Sequence, residues 1–520
     1  MTPETLDALY FICRESFSAD YERLRTADNP KSILVNALRC EVCANAISLC
    51  VELRCDLTNS PAMETSCRSI LEAIALLRMV EKGELDDEQI ANFEKQSALL
   101  FYGNLFETAK EKKDELFDDD ASDAMKKKMD WIVADCERAF ESYRKKYGEK
   151  LDEMASRTAI RESLFFTCKD PSKRNTFTAL FKKHMADIDP KGLMYQRISF
   201  FAHPWYLDNL DDLDLVRQDR LKDVGRCVEI LQEFFAEELK IAPRTGGSVE
   251  SDLNALGIHL QRSQAVETIC SGLHYTVSKA LPSISYTSLC FAFLRDALTE
   301  MNIMIGLGYP EMALSKFQSV AEFWTMNALL NNANGQKEFV ALHRAFDYST
   351  RVQMRRLGSF KKLRLKDEQV LRNAFESAFA APSISFEEYK TNISRNSLFF
   401  LKDEPAKKGP ALLDIVRLGT EIAFPPEHLV NRKEFVLSYL FSIDVHHATG
   451  FCYTENRDCW LLLSHIGLRA IYKSMWIFAT LIASLPFGDP IVLSYCKGLI
   501  ELIDAETKEI GDLNLKYPEL

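Results

Sequence analysis

Arg197, Ser199 and His203 fall close together in the stretch Met194-Tyr195-Gln196-Arg197-Ile198-Ser199-Phe200-Phe201-Ala202-His203-Pro204. A fixed cation, a hydroxyl and an imidazole are the groups that acid–base work on an anionic substrate needs. A residue before proline is pushed out of the α region, so Pro204 predicts a helix ending at about His203. An imidazole there sits at the negative end of the helix dipole, which favours its protonated form. Ser199 lies four residues earlier on the same face, within reach of the ring. Arg197 is six residues from His203, about 240° around an ideal helix. The two converge only if the last turn unwinds or the arginine reaches round.

The same pattern recurs later in the chain. Ser442-x-x-x-His446 follows Tyr439 and precedes His447 and Gly450, with Leu440 where the first stretch has Arg197. Three further matches keep the same order: Ser69-x-x-Glu72 with Ser319-x-x-Glu322, Ala139–Ser142 with Ala374–Ser377, and Arg161–Phe166 with Arg395–Phe400. Their offsets drift only between 234 and 250. The chain therefore reads as an internal duplication of a unit of roughly 240 residues, the size of a domain. The expected units are 1–240 and 248–520, joined by a linker at 241–247 within Ile241–Ser248 (IAPRTGGS). Whatever both copies retain is a candidate for a common site, and here that is Glu72 with Ser199 and His203, and Glu322 with Ser442 and His446. A carboxylate on an apolar helix is costly unless paired, so each glutamate is expected near its Ser/His helix end, with Tyr195 as a further partner. The same residues serve equally as buried polar contacts that lock a helix end. Both readings stay open.

Helical period dominates the elements that must position them. Ser66–Val80 carries apolar residues at Ile70, Leu71, Ala73, Ile74, Leu77 and Val80 without Gly or Pro, and Ser315–Leu330 reads the same way. Pro61 and Pro310 precede these two matching helices. Alternating strand-like runs are scarce, so the fold class is all-α. The chain has 520 residues, 47% hydrophobic and 27% charged, enough for two sizeable cores. A net charge of −12 argues against a surface that coats nucleic acid generally. The apolar run Met475–Leu485 is too short to span a bilayer, so no membrane partner is expected. Fourteen cysteines without a regular framework, and an opening MTPETLDALYFICRESF unlike a secretory leader, suggest a reducing cytoplasm. One segment breaks the symmetry: Lys110–Asp152 carries dense mixed charge and is expected to form an exposed helical arm.

Arg-x5-His at a helix end in an all-α domain resembles the signature of HEPN domains, many of which are metal-independent ribonucleases of toxin and antiviral systems. The wording Tyr-x-x-x-Ser-x-x-x-His-Pro, with Arg68-x-x-x-Glu72 upstream, is also similar to a bacterial family of domain-of-unknown-function type. The resemblance implies two tandem HEPN-like helical bundles and RNA as substrate. Arg197 would hold the scissile phosphate, and His203 would act as acid or base while a 2′-hydroxyl attacks. HEPN nucleases generally face two motifs across one cleft, which a duplicated chain supplies internally, with His446 assisting. Leu440 is the departure, leaving two histidines and one arginine. This chemistry calls for no metal and no cofactor.

Cys40-x-x-Cys43, with Cys50, Cys55 and Cys67 downstream, has some zinc-like spacing. The intervening residues are uninterrupted helix formers, which predicts thiols lining a helix face instead. Phosphate-loop, nucleophile-elbow and zincin motifs do not occur in the sequence. Two function classes follow: an RNA-cleaving effector of a bacterial stress or phage-defence system, or a non-catalytic helical module that senses or assembles, through a protein partner or self-association.

Overall fold

The computed structural model describes residues 2–84, 177–202, 213–241, 248–280, 285–331, 412–447, 451–454, 457–485 and 487–514, with short segments and isolated positions between them. Regular structure among the described residues is helical throughout, as expected of an all-α chain. Arg161–Phe166, Arg395–Phe400, His203-Pro204, residues 242–247 and nearly all of 110–152 lie outside the described residues. Of Ala139–Ser142 only Glu141 is described, whereas Ala374–Ser377 falls inside a helix.

In the first half the helices are α1 (Pro3–Thr26), α2 (Pro30–Arg54), α3 (Ala62–Glu81), α4 (Phe177–His184), α5 (Leu193–Phe201), α6 (Leu213–Phe234) and α7 (Ala236–Ile241). The rest of the chain contributes α8 (Val249–Ala255), α9 (Ile258–Ala280), α10 (Ser285–Gly306), α11 (Pro310–Asn331), α12 (Glu368–Ala378), α13 (Leu412–Ala423), α14 (Leu429–His447), α15 (Arg457–Ile482) and α16 (Pro490–Asn514). Local chemistry sets several starts. Asn29 caps α2 by accepting from Ser32 N at 2.9 Å, with Pro30 in the first turn where no amide donor is needed. Thr2 and Pro3 do the same for α1.

Each half is built round its third long helix. Helix α3 is packed by α2, α4, α5 and α6, and α11 by α10, α13, α14 and α15. The apolar stripe foreseen on α3 is wholly buried, and α11 buries most of its described apolar residues. At roughly 1.5–3 kcal/mol for each fully buried Leu, Ile or Phe, these two helices anchor the core. One crossing is tight enough to require glycine. A Cβ at Gly419 on α13 would stand 2.8 Å from the Thr325 carbonyl oxygen of α11.

The halves are not separate bodies on a tether. Lys316 of α11 is fully buried and donates to Ala62 O at 2.9 Å and to Ser66 at the start of α3. Its ammonium also lies 3.2 Å from Glu300 of α10 and 3.4 Å from Glu52 of α2. Ser48 of α2 completes the group with a short hydrogen bond to Glu300. Nearby, Asp296 accepts from Asn59 N at 2.8 Å, and Tyr10 donates to Asp252 at 2.9 Å. Helix α2 is also the described element whose length and hydropathy match a membrane span, rather than the 475–485 run. It is nonetheless packed between α1 and α3, and its buried face includes Glu41, Asn45, Ser48 and Glu52.

Candidate functional site

Helix α5 carries the first-half candidates and α3 supplies the carboxylate. Helix α5 ends at Phe201, with Ala202 as its cap, close to the expected end at about His203. Glu72 accepts a hydrogen bond from Tyr195 Oη at 2.6 Å and from Arg68 Nε at 2.8 Å. Ser199 joins the same group through the Tyr195 hydroxyl. Burial and the neighbouring Glu72 push the Tyr195 phenol well above its ordinary range, so it donates and does not ionise. Tyr195 also stacks on Phe181 of α4 at 4.8 Å, which fixes its ring. Arg68, Glu72, Tyr195 and Ser199 are thus one hydrogen-bonded cluster, reached from two helices far apart in sequence.

Arg197 points elsewhere. Its Nε and Nη2 form a two-pronged pair with Asp223 of α6, at 2.7 and 2.6 Å, and Nη1 donates to Leu357 O at 3.0 Å. The hydrogen bonds and charge of Asp223 hold the guanidinium firmly protonated. All three of its nitrogens are committed, so a phosphate would have to displace a carboxylate already in fork geometry. His203 lies outside the described residues.

The second-half candidates are drier. Gln318 Nε2 donates to Glu322 Oε1 at 3.1 Å, both buried on α11. Ser442 of α14 bonds back to the carbonyl of Tyr439 at 2.7 Å, so its hydroxyl is spent on its own helix. His446 belongs to α14, and its side chain lies outside the described residues.

Other arginine–carboxylate pairs emerge that nothing in the local sequence pattern announces. In the first half Arg220 of α6 grips Glu64 of α3 through both oxygens at 2.5 Å, and the pair is almost completely buried. In the second, Arg457 of α15 grips Glu311 of α11 at 2.5 and 3.0 Å, over the rings of Phe17, Tyr21 and Tyr309. A further correspondence bears on Arg197. Where α5 offers Arg197 to Asp223 on α6, α14 offers Glu434 to Arg469 on α15, at 2.8 and 2.9 Å. Both pairs tie neighbouring helices, but at different positions: Leu440, not Glu434, aligns with Arg197. Only for Arg220 was there an indirect signal: it occupies a core position between Val216 and Val224, where a charged residue demands a buried partner.

Cys40, Cys43, Cys50 and Cys67 are buried, and burial raises their thiols. Cys55, less enclosed, is pushed up to about 11. Such thiols are poor nucleophiles and stay protonated. No protein-family model, curated protein or solved structure matches this chain.

Proposed function

We propose that this chain is a non-catalytic helical module, a sensor or assembly partner, in which the Tyr/Ser/Glu cluster and Arg197 are structural polar contacts. The observation that carries this reading is the two-pronged Arg197–Asp223 pair, with the third guanidinium nitrogen spent on Leu357 O. An arginine kept for phosphate needs a free edge, whereas all three nitrogens of Arg197 already bind protein acceptors. A comparison of the halves supports an origin by duplication. Helices α1, α2 and α3 follow one another and pack as α9, α10 and α11 do, and each third helix is tied by arginine to a later helix.

The RNA-cleaving reading keeps one support of its own. Tyr195, Ser199 and Glu72 converge on the helix that leads into His203. The test is incubation of the purified full chain with mixed single-stranded and structured RNA, alongside His203→Ala and Arg197→Ala. The module reading expects no cleavage by any of the three, with Arg197→Ala losing stability. Cleavage by wild type that disappears in a stably folded His203→Ala overturns it in favour of the nuclease.

A further inference from the structure

Helices α9 and α16 lie side by side but do not close completely. Opposite Ala265 of α9, α16 presents Gly498, and the two small residues leave a groove of about 250 Å³ open to solvent. Ala265 and Leu499 are buried in it, while Tyr495 and Leu502 stand exposed at its rim. The volume is a little below the roughly 300–1,000 Å³ usual for small-molecule sites, which limits an occupant to a small one.

Arg262 gives the groove its chemistry. It lines the groove and is itself fully buried. Its Nη2 faces Glu506 of α16, while Nε and Nη1 make no hydrogen bond. A buried donor without a partner costs about 1–3 kcal/mol, and more when charged. His465 of α15 reaches the other oxygen of Glu506 at 2.8 Å, and His259 of α9, whose Nδ1 also lacks a partner, belongs to the same group. One guanidinium and one imidazole therefore meet a single carboxylate, with two guanidinium nitrogens left over. Glu506 is already fully ionised: the hydrogen bonds from His465 and Arg262 overcome its burial and hold it at about 2. A second carboxylate is the group that this donor excess lacks.

We propose that the α9–α16 groove binds a small aliphatic carboxylate, with its hydrocarbon body along Ala265, Leu499 and Leu502 and its head group hydrogen-bonded to Arg262. Entry of the head group requires the rim side chains Gln261 and Leu502 to move aside. The site lies apart from the α3–α5 cluster and goes beyond the module reading, since it supplies a small-molecule ligand.

The probe is sodium octanoate, titrated calorimetrically into the full chain, with octylammonium and octan-1-ol as head-group controls. Octanoate is expected to bind at least tenfold more tightly than either control. Gly498→Leu is expected to weaken octanoate at least tenfold without lowering Tm, because a Cβ at that position meets open space. Arg262→Met is expected to remove the preference for carboxylate over alcohol. The proposal is overturned if octanoate fails to bind, if Gly498→Leu binds it as well as wild type, or if the controls bind equally. Equal binding by the controls would mark an unselective apolar surface.

Discussion

The third helix of each half carries a glutamate with a partner one turn earlier, and the two pairs differ in kind. On α3 the pair is Arg68–Glu72, partly open to solvent and capped by the Tyr195 hydroxyl. On α11 it is Gln318–Glu322, buried. On these two helices the guanidinium stands where water still reaches it, while the enclosed site carries an amide, which satisfies a hydrogen bond without a second charge to desolvate. The buried pairs reverse the order. Arg220–Glu64 in the first half is dry, while Arg457–Glu311 in the second leaves its arginine partly exposed over aromatic rings. Burial alone does not decide how a carboxylate is answered, since Glu64 is as enclosed as Glu322 yet meets a guanidinium; it sets what losing the partner costs.

Removing one partner sharpens this most. Arg220→Ala is expected to cost about 3–5 kcal/mol, because it strands the Glu64 carboxylate in the core. Arg457→Ala is expected to cost clearly less, since its site is partly solvated. Urea denaturation of the two variants gives both numbers, and equal costs would end the argument from burial. Exchanging the α3 and α11 partners is a milder test. Gln318→Arg should destabilise by roughly 2–3 kcal/mol through an added buried charge and volume, while Arg68→Gln should cost about 1 kcal/mol or less. The reverse order would show that the Arg68–Glu72 ion pair matters beyond its geometry.

Two further comparisons carry smaller effects. Glu41 and Glu434 are both buried carboxylates pushed up by their burial, but Arg469 answers Glu434 while only the Asn45 amide answers Glu41. Glu41 rises to about 8 from 4.5, so the folded chain holds a proton there that the unfolded chain releases above about pH 4.5. Stability from this group is complete below pH 4.5 and is lost as pH rises towards 8. Glu41→Gln, which mimics the protonated form, should therefore gain on wild type at pH 8 relative to pH 5, by up to roughly 3–4 kcal/mol. A pH-independent difference in thermal melting would place the proton elsewhere. Gly419→Ala should lose about 1–3 kcal/mol by forcing α13 off α11. Gly225→Ala on α6, whose new methyl meets open space, should gain roughly 0.5–1 kcal/mol. The two glycines thus separate a packing requirement from a dispensable one.

Much of the helical layout was legible in the sequence because its signals are local. Period, proline starts and the absence of Gly and Pro from Ser66–Val80 place α3, and Pro310 opens α11. The Arg68–Glu72 pair follows from i, i+4 spacing alone. The partner of Arg197 was not legible, because Asp223 lies on another helix 26 residues away and nothing local links them. The Lys316 group was equally hidden. Its members come from four helices, and only their placement in otherwise apolar surroundings hinted that something must answer them.

Helix α2 has a consequence for how the chain is made. It leaves the ribosome before α3, which packs on it together with α1, and long before α10 and α11, so for an interval a stretch of membrane-spanning length and hydropathy is only partly covered. The targeting machinery that samples nascent chains reads such stretches before any tertiary structure forms. Glu41 and Glu52, which the finished fold buries at a cost, act in the opposite sense here: Glu41, near the middle of α2, disfavours insertion by roughly 2.5–3.5 kcal/mol, and Glu52, near its end, by less. The same carboxylates that strain the mature interior thus help to keep the newborn polypeptide out of the lipid until its partners arrive.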